Sequence, residues 1–106
     1  MRAMTTKRLI VYCTCPDAEF ANSLAALAPT EIHAAYVSII DCVTWWFRWQ
    51  GKVECANEQW LLIKTTLARS PVLERALRDA HPSEGAQIIA VPITYGLPEY
   101  LRWIGQ

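Results

Sequence analysis

At 106 residues the chain fits one domain, and a domain of that size buries roughly two-thirds of the surface its unfolded chain exposes. Ten Lys plus Arg balance ten Asp plus Glu, which argues against nucleic acid as a partner, because neutralising phosphates needs a basic excess. Hydrophobic residues make up 53% and five of them are Trp, enough to cover a partner surface as well as an internal core.

Residues 1–8 carry basic side chains but no apolar h-region and are expected to be a frayed tail. Residues 9–106 are read as a single domain. The apolar run 9–13 is too short for a signal peptide or a membrane span, so the expected location is cytoplasmic, with no membrane partner. Residues 9–14 are β-branched and aromatic and read as a strand. Asp17 is placed to cap a helix whose apolar positions are Phe20, Ala21, Leu24, Ala25 and Ala28, with Pro29 as its stop.

Residues 36–40 form the next strand, interrupted by Asp41 and Cys42. Residues 43–50 continue extended, with Trp45, Phe47 and Trp49 on one face and Trp46, Arg48 and Gln50 on the other. Gly51-Lys52 opens a polar connection, and 59–66 returns as a strand with Leu61 and Ile63 opposite Trp60 and Leu62. Large side chains on both faces of this ribbon point to self-association through Trp45, Trp46, Trp49 and Trp60, because one helix layer covers only one face of a sheet.

Ser70-Pro71 reads as N-cap and first position of a second helix with Val72, Leu73, Ala76, Leu77 and Ala80 as its buried stripe. His81-Pro82 ends it, 87–94 is the last long strand, and Pro98 opens a short amphipathic helix. The order is β-α-β-β-α-β plus a tail helix: an α+β, ferredoxin-like sandwich with a long β-ribbon.

No GxSxG, Walker loop, GxGxxG or HExxH occurs, and the chain is not expected to be an enzyme. Only two His exist, His33 and His81, and nothing in the sequence orients a Cys13–His81 hydrolase pair. Thiolate and imidazole suit copper and zinc. Cys13 and Cys15 lie on one strand face about 6.6 Å apart, too far and too parallel to bridge well. A Lys within a strand needs a partner. Lys64, with Arg48, Glu58, Thr65, Thr66 and Glu84, either lines a cleft between subunits or forms a salt bridge with Glu58 or Glu84 that fixes the assembly.

Five blocks stand in order: Cys13-Thr14-Cys15-Pro16-Asp17, Arg48-Trp49-Gln50-Gly51-Lys52-Val53-Glu54, Lys64-Thr65-Thr66, His81-Pro82-Ser83-Glu84 and Tyr100-Leu101-Arg102-Trp103. In that order and spacing the chain resembles the CutA family of divalent-cation tolerance proteins. The resemblance implies a homotrimer and an approach of Cys13 to His81, the two residues that match the family's copper-associated Cys and HP histidine. Ala80 stands where a second His is found, and Asp41-Cys42 where a Pro-Gly turn is usual. Copper or another divalent cation is the implied ligand, and no cofactor is required for folding. The architecture is also similar to the trimeric signal transducers whose subunit clefts bind effectors, which keeps a small effector or partner protein as the alternative ligand.

Overall fold

Alternation along one strand sets the two sides of the molecule. In β2 (Arg8–Cys15), Leu9, Val11, Cys13 and Cys15 are buried while Ile10 and Tyr12 are half-buried, the two-residue period of a strand packed on one face. The computed structural model describes residues 2–3, 7–31, 36–81 and 87–106, with side chains omitted for 2–3 and 27–31.

The remaining elements are β1 (Arg2–Ala3), α1 (Ala18–Glu31), β3 (Tyr36–Trp49), β4 (Lys52–Thr66), α2 (Ser70–Ala80), β5 (Ile88–Pro92), β6 (Tyr95–Gly96) and α3 (Pro98–Ile104). The main sheet has the order β3-β4-β2-β5 with every pair antiparallel, the split βαβ arrangement expected. The inner face carries Val11, Cys13, Cys15, Leu61 and Ile63. They pack against Ala21 and Leu24 of α1 and Leu73 and Leu77 of α2. The outer face carries Ile10, Tyr12, Trp60, Leu62 and Lys64 at the centre, Tyr36 and Ile40 on β3, and Ile89 and Val91 on β5.

Local chemistry explains most boundaries. Phe20 N–H donates to Asp17 Oδ1 at 2.8 Å, so Asp17 caps α1 as expected. The helix runs on through Pro29 to Glu31, so Pro29 does not stop it. In α2 the N-cap is Arg69, not Ser70. Ser70 is already helical and its hydroxyl donates to the Leu67 carbonyl at 2.9 Å, so Pro71 moves one position inward. Of the expected stripe, Leu73 and Leu77 are buried while Val72 and Ala80 are exposed. The last long strand is shorter than 87–94 and stops at Pro92, which cannot donate to the ladder. The segment read as a tail contributes Arg8 to β2 and Arg2–Ala3 to a two-stranded pairing with Tyr95–Gly96.

The ribbon departs from the sequence reading in two places. Gln50 and Gly51 both have positive φ, 49° and 77°, and Trp49 pairs with Lys52, so the connection is a two-residue type I′ hairpin turn. Lys52 is therefore the first residue of β4, not part of a polar connection. Asp41 and Cys42 do not end a strand. Ile40 pairs with Trp60 and Val43 with Glu58, so β3 spends one more residue than β4 over this step, and Cys42 takes a φ of 56°. That bulge puts Val43, Trp45, Phe47 and Trp49 on the same face as Ile40 and Trp60.

Candidate functional site

The end of β2, the start of α1 and the end of α2 converge on Thr14. His81 is the C-cap of α2, its backbone N–H donating to the Leu77 carbonyl at 3.0 Å. Its imidazole Nε2–H donates to the Thr14 carbonyl at 2.7 Å, and the edge of Phe20 meets the ring with centroids 5.3 Å apart. Strand, helix and ring thus bring His81 to the residue between the two cysteines. Cys13 and Cys15 are both fully buried on the inner face. The Cys13 thiol lies 3.6 Å from the Thr14 carbonyl, to which it donates. Cys15 donates to Cys13; that bond, burial and the negative charges of Glu58 and Asp17 push the Cys15 thiol up. The same bond draws the Cys13 thiol down, against burial.

The donor types suit a soft cation such as copper. The geometry of one subunit does not complete a site for it. Both thiols are sealed from solvent and Nε2 is engaged by a carbonyl. Among the described residues no three His, Cys, Asp or Glu stand close enough to hold an ion. Ala80 is exposed beside His81 and offers no donor.

The second candidate set separates. Lys64 is half-buried on the outer face, where its ammonium donates to the Tyr100 hydroxyl at 2.8 Å and lies 4.5 Å from the centre of the Tyr36 ring and 5.0 Å from that of Tyr100. Glu58 of the same chain lies six positions along β4, about 20 Å away. Thr65 faces the interior, fully buried with its hydroxyl unpaired among the described residues. Arg48 pairs with Val53 near the ribbon tip, roughly 35 Å along the strand from Lys64. Glu84 and His33 lie outside the described residues. Sequence reasoning missed Tyr36 and Tyr100 as the partners of Lys64. Their only signal was the Tyr100 block itself, since Tyr100 lies 36 residues from Lys64.

The aromatic set holds together. Tyr12 stacks on Trp60 at 4.5 Å and Trp45 meets Trp60 edge-on at 5.5 Å, forming a continuous aromatic row on the outer face. The Trp45 indole N–H is buried without a partner among the described residues. Trp46 and Trp49 are 72% and 62% exposed.

The family model for the CutA1 divalent ion tolerance protein matches residues 9–106. Protein CutA of Mus musculus is 36% identical over 95 residues, which cover 90% of this chain but only 54% of the mouse protein. The divalent-cation tolerance protein CutA of Escherichia coli (strain K12 / DH10B) is 32% identical over 103 residues, covering 97% of this chain and 92% of that one. The crystal structure of CutA from Xylella fastidiosa superimposes with a TM-score of 0.86 at 36% identity, over 92% of this chain and 94% of that chain. The divalent cation tolerance protein of Thermus thermophilus gives 0.84 at 37%, over 92% and 95%. With its sheet order, its five sequence blocks and these matches, the chain belongs to the CutA1 divalent ion tolerance family.

Proposed function

We propose that this protein serves the response to divalent metal ions as a cytoplasmic homotrimer, without catalysing a reaction, and that copper or a similar soft cation is held through Cys13 and His81. The observation that carries the metal reading is the meeting of His81 with Thr14, the residue between two buried thiols. A bound soft cation would be a thiolate and imidazole complex, and its uptake requires the His81–Thr14 contact to open, because the thiols have no solvent access. Trimerisation is supported by the uncovered aromatic row of the outer face and the exposed ribbon tryptophans.

Equilibrium dialysis of the reduced protein against Cu(I), Cu(II), Zn(II) and Co(II), followed by elemental analysis, tests the metal reading. The expected result is about one copper per subunit, lost in Cys13→Ser and in His81→Ala. Absence of binding tighter than about 1 μM would sink it.

A second reading rests on Lys64. An ammonium held between two tyrosine rings on the outer face is placed to meet a small effector or a partner protein in a cleft formed with another subunit. Metabolite binding in the absence of metal, weakened by Lys64→Ala, would favour it over the metal reading.

A further inference from the structure

Three cations gather at a place that neither reading uses. Lys7 and Arg8 lead into β2, Arg69 closes the turn from β4 into α2, and Gly105 follows α3. Together with Thr66 and Leu67 they line a cavity of about 510 Å³. No acidic residue lines it among the described residues, although the chain as a whole is charge-balanced.

The backbone around this cavity is pinned. Leu67 N–H donates to the Lys7 carbonyl at 2.8 Å and Ile93 N–H to the Arg8 carbonyl at 2.9 Å. Thr66 receives the Arg69 N–H on both its carbonyl and its hydroxyl, each at 3.2 Å. Arg8 is oriented as well: Nε–H donates to the Leu101 carbonyl at 2.8 Å, which aims the terminal nitrogens at Gly105. A Cβ at position 105 would collide with that guanidinium, so glycine makes the space it occupies. Arg69 is the N-cap of the 11-residue helix α2, so the positive end of that helix abuts the same cavity.

We propose that this cavity binds a small phosphate-bearing metabolite. Three cationic side chains from two segments, Lys7 and Arg8 at the start of β2 and Arg69 at the start of α2, line one volume, which suits a multiply charged oxyanion better than a single carboxylate. The volume lies within the range of small-molecule sites and leaves room beyond a phosphate for an apolar portion against Leu67.

The test is an NMR titration of the ¹⁵N-labelled full chain at low salt with sodium pyrophosphate, and in parallel with malonate. The expected result is saturable movement of the Leu67, Ala68 and Gly105 amides by pyrophosphate at about millimolar concentration or below. Lys7→Gln and Arg69→Gln should each weaken it by about tenfold. Lys7 is exposed, so the fold of the first variant is preserved, and its unchanged spectrum away from the cavity checks this. Failure to saturate by about 10 mM, or an affinity in both variants equal to that of the parent chain, would overturn the site. Malonate binding as tightly as pyrophosphate would overturn the assignment to phosphate.

Discussion

Replacing Trp46 and Trp49 by alanine is expected to turn the assembled protein into monomers. In a lone subunit these rings are 72% and 62% exposed, and an exposed ring contributes little to the fold of its own chain. A partner subunit that encloses them would bury a further hundred square ångströms or more of each, since a Trp buries about 150–250 Å² in all. Truncating an enclosed ring costs about 3–5 kcal/mol, repeated in every copy. Native mass spectrometry should show monomer in place of trimer, with a lower melting temperature. An intact trimer with unchanged melting would remove that residue from the interface.

A contrasting loss is expected for Leu61→Ala. Leu61 is fully buried in the middle of β4, paired with Cys13 on one side and Ile39 on the other. It belongs to the cluster that joins the sheet to Leu24, Leu73 and Leu77. Both flanking strands hold the backbone in place, so the cavity cannot collapse cheaply, and the expected cost is about 3–5 kcal/mol. Against a total of about 5–15 kcal/mol, that is a large share of the stability of one subunit. Chemical denaturation followed by circular dichroism should show the midpoint falling with little change in slope. A cost under about 1 kcal/mol would mean that the inner face tolerates the void. The tryptophan variants test the assembly, whereas this one tests the subunit.

The strands of the sheet were legible because their patterns are local. Leu9, Val11 and Cys13 alternate with Ile10 and Tyr12, and the sheet buries the first set. Asp17 was legible for the same reason, since a cap acts within three residues. Ser70 misled, because its hydroxyl can serve a turn carbonyl as well as a helix amide, and the choice depends on how Thr66 and Leu67 lie. Gln50 was hidden because a hairpin turn with two positive φ values ordinarily carries Asn or Gly at that place. For the site, residue types announced the metal donors, but periodicity contains no distance between a strand end and a helix end. The 2.7 Å contact of His81 with the Thr14 carbonyl is a tertiary fact. So is the partner of Lys64 within its own chain, a tyrosine hydroxyl on the tail helix 36 residues away.

The bulge at Asp41 and Cys42 also gives the ribbon a spare link. Because β3 spends three steps where β4 spends two, the loss of one residue can be absorbed by straightening the strand, and Val43 still meets Glu58. Every later side chain then keeps its neighbour, including Trp45 beside Ala56 and Trp49 beside Lys52. Loss of Cys42 would also remove a non-glycine residue held at a φ of 56°, at a saving of about 1 kcal/mol. Native mass spectrometry of a chain lacking Cys42 should accordingly return the parent assembly. This arm of the molecule is buffered against a deletion, while an insertion would have to be housed in a strand that already carries one residue too many.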